Sequence, residues 1–448
     1  MMLKLIAKIF LHIMTAAAIL AGISTANAEE TRRWSLDRDD YSLQQVVILS
    51  RHNIRSPLSG KGSVLDDITP HEWFPWSSSP SELSLRGGVL ETEMGQFFRK
   101  WLESAGLIPE NYRPEGNEVR FYSNSKQRTI ATAHYFAAGF LSAANTDVEF
   151  HMEFDKMDPV FTPQLTFCSD AYAEYAEAEI RALFTDKINS LADNYALLTE
   201  VLDMEDSEGR KNGSISEFRT DDTQIIIQQD SEPAMSGSLK TACSAADALV
   251  LQYYEEPDTL KAAFGHRLSE EQWKDISEIK DVYEDVLFSS PLIAQNAAHP
   301  MLQEIRAEMD TEGRIFTFLC GHDSNVVSVL AALGAEEYTL PEAIEAKTPI
   351  GCKLVFSKWT DKEGDIFWGL DLVYQTPEQL RNMPLLTQEN PPSVFPIKLR
   401  GLDCNQDGLY SAGDLPDRLD QAIEAYDLII DNYSESVFTE EYDLAVAE

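Results

Sequence analysis

Arg51-His52-Asn53-Ile54-Arg55-Ser56-Pro57 follows directly on the apolar run VVILS. A histidine framed by two arginines is discouraged from taking a proton. It is therefore expected to stay neutral and nucleophilic, facing something strongly anionic. A phosphomonoester is such an anion. Its transfer needs clamped non-bridging oxygens, an in-line nucleophile and a proton for the leaving oxygen. Arg51 and Arg55 are fork-shaped, permanently charged donors suited to the clamp. His52 can attack phosphorus through one ring nitrogen if the other is held as N–H by an acceptor. A second polar stretch, GHDSN at 321–325, follows the apolar run RIFTFLC. There His322 can add a donor to the phosphate and Asp323 can protonate the leaving alkoxide. Asp323 must then hold a proton while His52 is neutral, a state that an adjacent phosphate dianion favours. A mildly acidic optimum follows. A lone histidine is most often a satisfied structural residue, but the spaced set R-H-x-x-R-x-P should arise by accident in only about one chain per thousand of this length.

The elements that must bring these stretches together are legible from hydropathy. QQVVILS (44–50) and EVRFYSNS (118–125) read as strands, each followed by a helix: LSLRGGVLETEMGQFFRKWLESAG after the first, KQRTIATAHYFAAGF after the second. Residues 155–300 carry helical periodicity with almost no strand signal. Strands then return in RIFTFLC, CKLVFSKW and DIFWGLDLVYQ, the last two flanking the turn TDKEGD. The expected fold is α/β: a mixed central sheet flanked by helices, in a discontinuous domain (29–154 and 301–448) interrupted by an α-helical insertion at 155–300. Both chemical motifs sit just past buried strands. Ligands of open α/β sheets bind outside the carboxyl ends of strands, so the two stretches are expected to share one crevice.

The chain opens with a basic start (Lys4, Lys8), a short apolar core and Ala26-Asn27-Ala28. This is the pattern of a secretory signal peptide, residues 1–28, cleaved after Ala28. It implies an exported, periplasmic product with no membrane association after cleavage. The net charge of −39 argues against nucleic acid or an anionic membrane as partner. It also requires any anion site to be built by a local arginine cluster. The five cysteines (Cys168, Cys243, Cys320, Cys352, Cys404) include no CxxC pair and are odd in number. Neither a zinc site nor a complete disulfide framework is indicated, although one or two bridges are compatible with export. Cys320 and Cys352 lie in or beside apolar runs and read as buried small residues.

RHNIRSP with a distant GHDSN resembles the histidine acid phosphatases, whose signature is R-H-G-x-R-x-P plus a late H-D. The stretches SRHNIRSPL, GSVLDDITPHEW, YSNSKQRTIATA, KMDPVF, SGSLK, LQYYEE, KTPIG and VYQTPEQLRN look like the periplasmic bacterial glucose-1-phosphatase branch, and they span most of the mature chain. The resemblance implies a phosphohistidine intermediate at His52. It implies phosphate binding by Arg51, Arg55, Arg128 and His322, with Asp323 as proton donor and no cofactor required. Arg128 enters through the resemblance alone; by itself it reads equally as a surface arginine at a helix start. Three features depart from the pattern: Asn53 stands at the signature glycine, KTPIG carries lysine where the branch has arginine, and the cysteine positions do not match its disulfides. The substrate implied is a small sugar phosphate such as glucose 1-phosphate, with inositol hexakisphosphate as the alternative.

Weaker signals surround these. The resemblance suggests that Glu232 hydrogen-bonds sugar hydroxyls and repels extra phosphates; an exposed loop acid before a proline is the equal alternative. Trp73 and Trp76 could form an aromatic mouth, but a small satellite core is favoured. Tyr253 and Tyr254 read as packing residues. DCNQDGLYSAGD (403–414) matches a calcium loop, with Asp403, Asn405, Asp407, Ser411 and Asp414 at ligand positions and Gly408 at the turn. An acidic turn is the favoured alternative, because the last ligand is Asp and a strand precedes the loop. The sequence leaves the oligomeric state undetermined.

Overall fold

A computed structural model describes residues 36, 38–58 and 62–434. The signal-peptide reading lies outside these residues. The central sheet has seven strands: β1 (Tyr41–Arg51), β2 (Val119–Ser123), β3 (Phe316–Gly321), β4 (Lys353–Asp361), β5 (Ile366–Tyr374), β6 (Ser393–Pro396) and β7 (Leu409–Ser411). Their order is β2-β3-β1-β4-β5-β6, with β7 also pairing β5. β2, β3 and β1 run parallel, and the remaining pairs are antiparallel. The sheet is thus mixed, as expected.

Alternation along the strands sends consecutive side chains to opposite faces. One face carries Val46, Ile48, Phe121, Phe316, Phe318 and Val355, covered by helices α1 (Leu85–Ser104) and α2 (Gln127–Phe140) through Met94, Phe98, Phe136 and Phe140. The Phe136 and Phe318 rings stack 4.1 Å apart. The other face carries Val47, Leu49, Leu319, Leu354, Phe356 and Leu370. It packs on Met301, Leu302, Val326 and Leu419 from three later helices.

Between β2 and β3 the chain forms α3 (Asp170–Ser190), α4 (Ala192–Val201), α5 (Ser238–Glu255), α6 (Glu270–Phe288) and α7 (Pro291–Asp310), with a short hairpin, Gln224–Ile226 paired with Ala234–Ser236. α8 (Asp323–Ala332) leaves β3 and α9 (Asp414–Tyr433) closes the described chain. α7 runs through residue 300, where the sequence reading put the end of the helical insertion. Its Met301, Leu302 and Ile305 belong to the sheet's core, while Ile293 and Ala297 belong to the helical cluster. That cluster also takes in Ile54, Leu65 and Leu90, so helical segment and sheet domain share apolar packing rather than meeting across a polar seam.

The parallel register decides where the chemistry sits. Arg51 pairs with Gly321 across β1–β3, and Ser123 pairs with Cys320 across β2–β3. The three strands therefore end level, and His52, Asn124 and His322 emerge side by side at the carboxyl edge. Backbone bonds continue past the strands, from His52 N to Gly321 O (3.0 Å) and from Asn124 N to Cys320 O (2.9 Å).

Candidate active site

The RHNIRSP loop is held from two sides. The start of α1 docks on it directly: Ser84 N donates to Ile54 O at 2.9 Å, and a Cβ at Gly87 would lie 2.4 Å from that same carbonyl. Beneath it, Asn53 Nδ2 donates to Glu91 Oε2 (2.8 Å), and Glu91 pairs with Lys353 (2.9 Å) at 0 % exposure of both side chains. Lys353 Nζ also donates to Gly351 O at 2.7 Å. Gly351 has φ +71°, and a Cβ there would stand 2.5 Å from Asn53 Nδ2, so conformation and space both demand glycine. The asparagine at the signature-glycine position is thus a tie between the RHNIRSP loop and a buried ion pair.

His52 is 2 % exposed. Its Nδ1 lies 2.9 Å from Asn53 O. A carbonyl only accepts, so Nδ1 carries the proton and Nε2 keeps its lone pair. Burial, and then the charges of Arg128, Arg55, His322 and Arg51, hold its pKa well below the usual histidine range. The imidazole is therefore held neutral, the protonation state expected of it. His322 lies edge-on to it, ring centroids 5.6 Å apart.

The tautomer of His322 is fixed by a residue that the sequence reading passed over. Asn124 Oδ1 accepts from Ser125 N (2.8 Å) and Asp158 N (2.9 Å), which turns its amide nitrogen toward His322 Nε2 at 2.7 Å. Nε2 must accept, so the ring proton sits on Nδ1, 3.4 Å from Arg128 Nη2. Two donors meet there with no acceptor between them, an arrangement that suits an anion. Arg128, in the first turn of α2, makes no ion pair within 4 Å among the described residues, and burial with neighbouring Arg55 pushes its pKa down to about 10. It remains a cation at any pH of interest.

The other two arginines are already engaged. Arg55 Nη2 meets Asp247 at 3.1 Å. Arg51, fully buried, donates to Glu345 (2.6 Å) and to Thr348 O, and lies 3.2 Å from Asp323. Asp323 opens α8 and also lies 3.4 Å from Lys280. Burial pushes its carboxyl up, but the charges of Lys280 and Arg51 outweigh that and hold it well below the usual range. The sequence reading needed a protonated Asp323; the protein around it favours the carboxylate. The main-chain N–H of His322 donates to Asn325 Oδ1 at 2.9 Å, so the GHDSN turn is braced by its own asparagine.

His52, Arg55, Arg128, His322 and Asp323 line one cavity of about 390 Å³, together with Glu232, Lys240, Asp247, Lys280 and Glu284, a volume suited to a small ligand; Arg51 is buried behind this lining and reaches the site through Asp323. Glu232 sits in the turn of the short hairpin, pinned to the adjacent chain by Asp230 N to Leu165 O (2.8 Å) and Leu165 N to Ser231 O (3.0 Å). Trp73 and Trp76 are not at this mouth: both pack against the helical core, and Trp73 Nε1 donates to Leu65 O. Tyr253 stacks near Trp273, while Tyr254 is buried with its hydroxyl on Glu345.

In the 403–414 loop, Asn405 Oδ1 accepts from Asp407 N and Leu409 N, and Ser411 donates to Asp414. Among the described residues no group of three or more His, Cys, Asp or Glu side chains is arranged to hold a metal ion. All five cysteines are free, and Cys320 and Cys352 are buried in the sheet core as expected.

Comparison with known proteins accords with this geometry. The model of the histidine phosphatase superfamily, branch 2, matches residues 42–368. The chain belongs to that superfamily. This phosphatase is 36% identical over 420 residues to the glucose-1-phosphatase of Providencia rettgeri, covering 92% of this chain and 99% of the relative. It is 35% identical over 409 residues to the glucose-1-phosphatase of Salmonella typhimurium, covering 90% and 96%. Its fold superposes on the apo form of Hafnia alvei phytase with a TM-score of 0.79 at 24% identity, covering 87% of this chain and 99% of that one. This phosphatase is a phosphoric monoester hydrolase. Among the described residues, no helix is long and apolar enough to cross a membrane.

Proposed function

We propose that this phosphatase is exported to the periplasm and hydrolyses small sugar phosphomonoesters such as glucose 1-phosphate through a phosphohistidine at His52. One observation carries the reading. The lone pair of His52 Nε2 lies in the same crevice as Arg128 and His322 Nδ1–H, two donors with no anionic partner of their own among the described residues. In the first step Nε2 forms a bond to phosphorus, the ester P–O bond breaks, and a proton delivered through Asp323 makes the leaving oxygen an alcohol. In the second, water attacks phosphorus, the N–P bond breaks, and the water proton returns to Asp323. Arg51, Arg55, Arg128 and His322 supply the positive field in which charge builds on the phosphoryl oxygens. Displacing the Asp247 carboxylate frees Arg55 for that task. No metal enters either step.

The substrate preference rests on the relatives' glucose-1-phosphatase activity and on the acidic wall made by Glu232 and Asp247, which repels additional phosphate groups. The deciding test is phosphate release at about pH 4–7 with EDTA, comparing glucose 1-phosphate with phytate for wild type and His52→Ala. Release from glucose 1-phosphate that vanishes in the variant supports both mechanism and substrate. Preference for phytate keeps the mechanism and overturns the substrate. Undiminished release by the variant removes His52 as nucleophile.

A further inference from the structure

Asp323 faces a difficulty as a proton donor. It is bridged by Arg51 and Lys280, two cations that favour its ionised form. The answer lies behind it, on α6. Lys280 and Glu284, one helical turn apart and each about 5 % exposed, pair with one another. Lys280 Nζ joins Glu284 to Asp323, which lies 3.4 Å from the same ammonium, and Thr348 Oγ1 donates to Glu284 at 2.8 Å on the other side. Lys280 also approaches Glu345 at 3.8 Å. The charge count of this cluster is uneven. Arg51 and Lys280 are two cations; Asp323, Glu284 and Glu345 are three carboxyl groups. A third buried carboxylate would be uncompensated, which is costly, so the cluster retains one proton.

We propose that Glu284 holds that proton and passes it to Asp323 as the ester bond breaks, making Glu284 the positioning residue that lets a salt-bridged aspartate act as an acid. In the first half-reaction the proton moves from the Glu284 carboxyl to Asp323 and from Asp323 to the leaving oxygen, and Glu284 is left as a carboxylate against Lys280. In the second, the water proton taken by Asp323 returns to Glu284. Ester plus water become alcohol plus phosphate, and the cluster regains its starting state. The groups facing Glu284 are Lys280 and Tyr283 on its own helix, Arg51 from β1, Asp323 from α8, Cys243 from α5 and Tyr338 beyond α8, with Glu345 and Asp281 reached through Lys280. Burial raises the Glu284 carboxyl to about 8 against the pull of Lys280, whereas Asp323 is lowered. The shared proton therefore resides on the glutamate side of the pair.

This inference rests on the phosphatase reading above, and the test separates the two. kcat/KM is measured against pH for glucose 1-phosphate, whose alkoxide needs a proton, and for p-nitrophenyl phosphate, whose phenolate does not. Glu284→Gln, which keeps shape and hydrogen bonding but has no carboxyl proton to give, should lose at least about tenfold more on the sugar ester than on the aryl ester. Its alkaline limb for the sugar ester should move to lower pH. Glu284→Asp, which restores a carboxyl, should recover part of the difference. Equal losses on both esters with an unmoved limb would make Glu284 merely structural and overturn the proposal. If the glutamine variant does not fold, the wild-type profiles decide. An alkaline limb present for the sugar ester and weaker for the aryl ester supports the relay, and identical limbs overturn it. Failure of the underlying reading looks different, because the wild type would then release no phosphate from either ester.

Discussion

Replacing Glu91 by glutamine should destabilise the protein and loosen its RHNIRSP loop together. Glu91 Oε1 lies 2.9 Å from Lys353 Nζ, while Oε2 accepts from Asn53 Nδ2 at 2.8 Å and from Lys353 at 3.2 Å. Every approach is by a donor. Either orientation of a glutamine amide therefore turns its NH2 group against an ammonium or another amide nitrogen. At an effective dielectric constant of about 20, unit charges at the 2.9 Å contact attract by about 6 kcal/mol. Removing one partner of a buried pair costs about 3–5 kcal/mol, because the other charge is left buried and unpaired. The urea midpoint of Glu91→Gln should fall by the equivalent of that cost with little change in m-value. Its kcat should fall as well, since the amide can accept from Asn53 only by turning its NH2 group on Lys353, which loosens the tie that fixes the loop. A double change, Glu91→Met with Lys353→Met, should recover much of the stability without restoring activity. A glutamine variant as stable and active as wild type would refute the view that this ion pair holds the loop.

Three shorter tests follow from the site. Arg128→Gln removes the foremost charge holding His52 neutral, so the acid limb of kcat/KM for an aryl phosphate should move to higher pH, and inorganic phosphate should bind about 10–100-fold more weakly; an unmoved limb would separate Arg128 from His52. Asp323→Asn should slow glucose 1-phosphate hydrolysis by about 10²–10⁴ and aryl phosphate hydrolysis less, and equal losses would remove Asp323 as the proton donor. Glu232→Gln should change the glucose 1-phosphate to aryl phosphate ratio of kcat/KM by roughly fivefold, the weight of one hydrogen bond; an unchanged ratio would leave Glu232 as an ordinary loop acid.

Much of this protein is written locally. The apolar run before RHNIRSP had to be a buried strand, the alternation of strands and helices had to give an α/β sheet, and two polar motifs past strand ends had to meet at the carboxyl edge. Types and spacing named His52, Arg51 and Arg55, because R-H-x-x-R-x-P has few structural explanations; His322 and Asp323, a pair that chance supplies easily, were named by their place between a buried strand and a helix start. The neutrality of His52 was expected from its arginine neighbours, but burial and the distant Arg128 contribute more to it than they do. The residues that decide how the site works were hidden because their role depends on partners far along the chain. Lys280 and Glu284 look in sequence like any i, i+4 pair on a solvated helix face; only the packing of α6 against the start of α8 buries them beside Asp323. Glu91 sits mid-helix among polar residues and Lys353 opens a strand, and their pairing exists only because α1 and β4 both abut the loop. Asn124 was legible as the end of a strand, yet its hold on His322 needs the level ends of β2 and β3. The sequence specified the chemical groups, since reactivity belongs to side-chain type. Tertiary structure decided their protonation, because a pKa depends on burial and on which charges the fold brings within a few ångströms.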